Sequence, residues 1–144
     1  MRASGVDETV WRLGTTRWPI LTVRPTKATY TDDELRQALE AYDAVLNANL
    51  EPYCVVFDYS AGETLPASQR VMLGEFNARN AERTRVYCRG AAFVMKGAVA
   101  RGVMTAVFWI SKPPAETKVF ADFDQAMSWA SSQLVTPKVS SSRH

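Results

Sequence analysis

Pro52-Tyr53-Cys54-Val55-Val56-Phe57-Asp58 is an almost wholly apolar run that stops at a carboxylate. A half-buried strand alternates apolar and polar residues. A run without alternation reads as a strand covered on both faces, which belongs to a parallel sheet held between helices. Gly62 and a new helical pattern follow it. Open α/β sheets bind their ligands beyond the carboxyl ends of the strands, so Asp58 stands where a functional residue is expected.

The rest of the chain supports the same class. Thr9-Val10-Trp11-Arg12-Leu13 alternates weakly, and Trp18-Pro19-Ile20-Leu21-Thr22-Val23 is a stronger strand stopped by Pro25. The short Gly14-Thr15-Thr16 link suits a hairpin. Thr31 stands three residues before Glu34, the spacing of a capping box, and Leu35, Ala38, Leu39, Tyr42, Val45 and Leu46 then form one apolar stripe. A second helix is expected from near Thr64, with Pro66 in its first turn and Leu65, Met72, Leu73 and Phe76 facing inward. Gly90 opens another apolar strand, Ala91 to Met95, ending at Lys96-Gly97. Val99, Val103, Ala106, Val107 and Ile110 repeat at helical spacing up to Pro113-Pro114. Lys118-Val119-Phe120 reads as a last strand, and Asp122 as the cap of a last helix that turns Ala126, Met127, Ala130 and Leu134 inward.

This order predicts a single α/β domain over residues 9–135, with a mostly parallel or mixed sheet of about five strands and about four helices. Residues 1–8 are expected to be a flexible N-terminus and the Ser-rich, basic segment 136–144 a disordered tail.

Composition narrows the function. A formal charge of +2 is too small to imply nucleic acid. No apolar stretch approaches the roughly 20 residues of a membrane span, and the first residues lack a secretory core, so a cytoplasmic address is expected. Cys54 and Cys88 lie too far apart for a disulfide framework or a zinc site. Cys54 reads as a small buried hydrophobe and Cys88 as an incidental thiol in a polar stretch. The one histidine is His144, so no internal imidazole serves as base or metal ligand. There is no phosphate loop, nucleophile elbow or metal-ligand spacing. In Gly97-Ala98-Val99-Ala100-Arg101-Gly102, Val99 occupies the place of the middle glycine of a dinucleotide fingerprint. No catalytic residue, metal or cofactor is assigned.

A ligand- or partner-binding crevice at the strand ends would draw on Asp58, Ser60, Thr64, Ser68, Lys96 and Arg101. Lys96-Gly97 precedes a helix whose first N–H groups suit an anion, with Arg101 one turn in. Turn and capping chemistry accounts for the same residue types. A phosphate on Ser68 or Thr64 would sit near a helix start, close in sequence to Arg70, while ordinary helix-start preference for hydroxyls explains both residues too. Arg79, Arg83, Arg85 and Arg89 form a basic cluster that Glu82 interrupts, which favours a solvated helix face. Trp109 and Trp129 fall near late helix ends, where core packing and a dimer or partner contact are both open.

Taken together, the strand-to-helix order, Val55-Val56-Phe57-Asp58 before a loop and helix, Gly90-Ala91-Ala92-Phe93-Val94 before another, and the ending Val119 to Trp129 resemble the STAS superfamily from about Trp18 to Leu134. The narrower likeness is to the SpoIIAA-like branch, also described as STAS/SEC14-like. In regulated members, those related to bacterial anti-sigma-factor antagonists, an Asp-Ser-Ser/Thr-Gly-type turn follows the strand and its hydroxyl is phosphorylated by a partner kinase. Here the chain reads Asp58-Tyr59-Ser60-Ala61-Gly62-Glu63-Thr64-Leu65-Pro66-Ala67-Ser68-Gln69, with Ser68 as the nearest positional match and the flanking Asp and Gly absent. The resemblance implies a non-enzymatic cytosolic regulator or adaptor acting through a protein partner, with a homodimer as a further expectation. The alternative is a domain that binds a small anionic or lipidic molecule near Lys96 and Arg101.

Overall fold

The computed structural model describes residues 9–59, 66–110 and 113–135, with backbone alone at 107–110. The expected flexible start 1–8, the expected tail 136–144, the segment holding Ser60, Thr64 and Leu65, and the side chain of Trp109 lie outside the described residues.

Strand β1 (Trp11–Gly14) turns back antiparallel onto β2 (Ile20–Pro25), as the hairpin spacing predicts. Gly14 lies close to the facing strand, where a Cβ would collide with the Thr22 hydroxyl and force that side chain to move. Helix α1 (Asp32–Ala48) starts on the expected capping box: Thr31 Oγ1 accepts from the Glu34 N–H at 3.0 Å, and Glu34 Oε1 accepts from the Thr31 N–H at 2.9 Å. Its stripe Leu35, Ala38, Leu39, Tyr42 and Leu46 is buried.

The apolar run forms β3 (Tyr53–Asp58), with β2 on one side and β4 (Cys88–Val94) on the other, both parallel to it. With β5 (Thr117–Phe120) beside β4, the sheet order is β1-β2-β3-β4-β5. Tyr53 and Val55 face a core shared with α1, Trp11, Leu21 and Val23, while Cys54 and Val56 face Ala126, Met127 and Ala130 of α5 (Phe123–Val135). Both faces of β3 are therefore filled, which is why its sequence does not alternate. Asp122 accepts from the Gln125 N–H at 3.0 Å, the cap expected for α5.

Two expectations change. The second helix is two, α2 (Ala67–Arg79) and α3 (Ala81–Tyr87), so the described residues hold five helices where about four were expected. Asn80 causes the break: its side-chain amide and its backbone N–H both donate to Phe76 O, closing the first helix. The restart turns Arg83 onto α1, where Nη1 reaches Asp43 Oδ1 at 2.5 Å and Asn47 Oδ1 at 3.0 Å, with only 12% of its side chain exposed. Arg83 is thus a largely buried clamp between helices, not part of a solvated basic face. Arg79 lies over the Phe76 ring, Arg85 pairs with Glu82, and Arg89 donates to Val86 O, so the basic cluster is dispersed. Secondly, β4 begins at Cys88, which is buried rather than set in a polar stretch. Tyr53 pairs with Cys88 and Cys54 with Gly90, so Arg89 is the extra residue of a bulge that carries the chain from α3 into the sheet.

Helix α4 (Ala98–Ile110) packs against β5. Val99 and Val103, which repeat at helical spacing, are 82% and 57% exposed. Arg101 lies on the other side of the helix. Its Nη1 donates to Met95 O at 2.9 Å and Lys96 O at 2.7 Å, so that side of the helix faces the end of β4. At about 100° per residue, Val99 and Val103 then stand on the opposite side. Among the described residues no helix is long and apolar enough to cross a membrane.

Candidate functional site at the strand ends

Alternation along the strands sorts the polar residues at the carboxyl edge onto two faces. On β2, Leu21 and Val23 point to the α1 side, so Arg24 points to the α5 side. On β3, Val56 points to the α5 side, so Asp58 does as well. Adjacent parallel strands thus end in a cation and an anion on one face. Arg24 Nε and Nη2 donate to Asp58 Oδ2 at 3.0 and 2.8 Å. Asp58 keeps 7% of its side-chain exposure and Arg24 keeps 57%. The guanidinium also lies 5.2 Å from the centroid of Phe123, the first residue of α5. Asp58 is therefore an anchor joining β2, β3 and α5. Reading residues one by one missed Arg24. Its signal was a basic residue in phase with Ile20 and Thr22 at the end of a strand, matched by the acid that ends the next one.

Ser68 stands on the other side of the sheet, in the first turn of α2. Its Oγ donates to Asp32 Oδ1 at 3.1 Å. Beside it Gln69, 2% exposed, donates from Nε2 to Tyr30 O at 2.6 Å and to Asp32 Oδ1 at 3.2 Å. These bonds tie the start of α2 to the start of α1, and Gln69 Oε1 is left buried without a hydrogen-bond partner among the described residues. Gln69 was not legible in the sequence, where it reads as a surface residue. Outward from this junction, Arg70 and Val71 are exposed, Val71 by 58%.

Lys96 is exposed at the end of β4, and Arg101 is turned onto the backbone carbonyls of Met95 and Lys96. The expected cluster thus divides into Asp58 with Arg24, Ser68 with Asp32, and Lys96 with Arg101, while Ser60 and Thr64 lie outside the described residues.

Burial raises Cys54 from its usual 9.0 to about 12, with the neighbouring Cys88 thiol adding to the effect. Its Sγ donates to Ala130 O at 3.4 Å. Cys54 is thus a protonated packing residue near neutral pH, as its place in the apolar run implies. Tyr42 and Tyr53 are raised above 10.0, chiefly by burial. Among the described residues no group of acidic, cysteine or histidine side chains is placed to hold a metal ion. An open groove of about 340 Å³ runs along α5, lined by Arg17, Phe123, Asp124, Met127, Ser128 and Ser131.

No family model and no curated protein matches the chain. Among solved structures it is similar to an uncharacterised protein of the DUF3478 family from Shewanella loihica PV-4, described as having a SpoIIAA-like fold. The TM-score is 0.58 at 14% identity, over 83% of this chain and 91% of that one.

Proposed function

We propose that this SpoIIAA-like domain is a non-enzymatic regulatory adaptor that presents the joined starts of α1 and α2 to a protein partner. The observation that carries the reading is the Ser68–Asp32–Gln69 junction. Rigid presentation lowers the ordering cost of docking, and here a fully buried glutamine and a helix-start serine hold one helix end against another. Val71 then offers an exposed apolar side chain from a fixed helical turn, with Arg70 beside it. Support for binding rather than catalysis comes from the strand ends, where Arg24 and Arg101 are drawn into contacts within the domain.

The test is site-specific photocrosslinking from position 71 in cells, followed by binding of the captured protein to the purified domain. We expect a direct complex that Val71→Lys and Arg70→Glu weaken and that a substitution at Ser131 on α5 leaves intact. Failure to reconstitute any captured protein, or equal binding by all variants, overturns the reading.

A second reading, a small anionic ligand, draws support from the α5 groove, where Arg17 stands with Ser128 and Ser131. It moves the ligand from Lys96 and Arg101 to α5. Calorimetric titration with inorganic and organic phosphates, repeated on Arg17→Ala, tests it. Heat that is absent, or unchanged in the variant, removes it.

A further inference from the structure

The first turn of α1 carries three acids, and two of them are answered by cations. Lys27 Nζ lies 2.8 Å from Glu34 Oε2, and Arg36 Nη1 lies 2.5 Å from Asp33 Oδ1. Asp32 has no cationic partner among the described residues. Its Oδ1 accepts from neutral donors, the Ser68 hydroxyl at 3.1 Å and the Gln69 amide at 3.2 Å. A negative charge is thus left over where the start of α1 meets the start of α2.

A second observation is independent of that charge. Gln69 is 2% exposed, and its Oε1 is buried with no hydrogen-bond donor among the described residues. A buried acceptor without a donor is costly, and native structures answer most such atoms with a donor, a water or an ion. The other end of the amide is fixed on the junction, with Nε2 donating to Tyr30 O at 2.6 Å and to Asp32 Oδ1 at 3.2 Å. Oε1 shares a carbon with Nε2, so it belongs to the same cluster as the carboxylate and the carbonyl.

Both observations call for positive charge held by oxygen. The oxygens at hand are the Asp32 carboxylate, the Gln69 amide, the Tyr30 carbonyl and the Ser68 hydroxyl. The set holds no nitrogen or sulfur donor, which sets it apart from transition-metal sites. Ca²⁺ accepts carboxylate, amide and backbone carbonyl oxygens in a flexible geometry and completes its shell with water, whereas Mg²⁺ demands a near-ideal octahedron and gives up water reluctantly.

We infer that Asp32, Gln69, Tyr30 O and Ser68 form a Ca²⁺ site that locks the start of α2 onto α1. One carboxylate among neutral oxygens makes it a weak site, with a Kd on the order of 10⁻⁴–10⁻³ M. The site does not depend on the partner reading, since an ion can bind here whether or not a protein docks on Val71.

The test is thermal melting of the full chain, freed of metal with a chelator, against CaCl₂, MgCl₂ and NaCl at matched ionic strength. About 10 mM Ca²⁺ should raise the midpoint by about 3–6 °C, with a clearly smaller effect of Mg²⁺ and none of NaCl. Tb³⁺, which shares the oxygen preference of Ca²⁺, should luminesce when excited through Tyr30 and Trp11, whose Nε1 lies 3.4 Å from Tyr30 Oη, and Ca²⁺ should displace it. Asp32→Asn should weaken Ca²⁺ about tenfold or more, while Glu75→Gln, at an exposed position later in α2, should leave the response unchanged. Gln69→Glu separates an ion ligand from a packing residue. It sets a second carboxylate beside Asp32, so its midpoint should fall in chelator and recover with Ca²⁺, which it should bind about tenfold more tightly than the parent. Equal shifts in the parent and Asp32→Asn, an equal effect of NaCl, or a Gln69→Glu chain that Ca²⁺ does not recover overturns the inference. An equal response to Mg²⁺ overturns the choice of Ca²⁺.

Discussion

Arg24 sets both Nε, at 3.0 Å, and Nη2, at 2.8 Å, on the single oxygen Oδ2 of Asp58. The acid is buried and the base is half in water. The two partners are therefore not equivalent. Arg24→Ala leaves a buried carboxylate without its main cation, whereas Asp58→Ala leaves a guanidinium that solvent can reach. We expect Arg24→Met to destabilise by about 1–3 kcal/mol, below the full cost of breaking a fully buried pair because Arg24 is exposed. Arg24→Met with Asp58→Leu together should recover much of that loss. Urea unfolding of the single and double variants checks it, and a double variant less stable than the Arg24 variant refutes it.

Gly90 lies beneath Trp129. A Cβ at position 90 would stand 2.9 Å from Trp129 Cη2 and 3.1 Å from Cζ3. Replacing a strand glycine by alanine gains about 0.4–1 kcal/mol through the unfolded chain. Forcing an indole off its packing costs about 1–3 kcal/mol, so the collision wins and Gly90→Ala should be net destabilising. In a Trp129→Leu background the same change should become neutral or favourable, as read from thermal melts of the four proteins.

A negative group at Ser68 meets two opposed effects. Acids in a first helical turn gain about 0.3–1 kcal/mol from the dipole. Yet Ser68 now donates to Asp32, and Asp33 and Glu34 follow in the same turn of α1. Ser68→Ala and Ser68→Glu both lose this hydrogen bond, at a cost of about 1 kcal/mol, and only Glu adds repulsion from the three acids of that turn, which exceeds the dipole gain. Ser68→Glu should therefore be less stable than Ser68→Ala. In an Asp32→Asn background the order should reverse, because the dipole gain remains and the nearest repulsion is gone. Chemical denaturation of the four variants measures this, and a phosphoserine installed at 68 should follow Glu.

Cys54 gives the fold an alkaline limit. Its folded value, about 12, lies above its usual 9.0 because burial disfavours the thiolate. The folded state thus holds a proton that the unfolded state releases. The stabilisation is fully present below pH 9.0 and is lost as pH rises from there through about 12. Over that window one such group lowers stability by about 1.4 kcal/mol per pH unit. Tyr42 and Tyr53, also raised by burial, add to the fall above 10.0. Urea midpoints taken between pH 8 and pH 10 should fall less steeply in Cys54→Val, about one proton's worth. An identical slope in the variant contradicts the burial account.

Elements whose cause is local were legible in the sequence. Thr31 and Glu34 make their capping box from neighbours three residues apart, and Asp122 caps α5 in the same way. The apolar run at β3 names its place in the middle of the sheet, because only a strand buried on both sides can dispense with alternation. The helix break at Asn80 was harder to foresee, since an asparagine competes with the backbone in many helices that nonetheless continue.

The residues that bear on function were settled by contacts far along the chain. Asp58 was foreseen as a strand-end group, but its partner is 34 residues away, and only the parallel pairing of β2 with β3 brings the two together. Ser68 and Gln69 reach Asp32 and Tyr30 across a similar gap. Helix α4 is the clearest case. The spacing of Val99 and Val103 defines an apolar side, and that side is real. Which way it faces is not a property of the spacing. Here Arg101 is bonded to the end of β4 and the valines on the opposite side face solvent, because a periodic stripe fixes a direction on the helix while tertiary contacts alone orient the helix on the sheet.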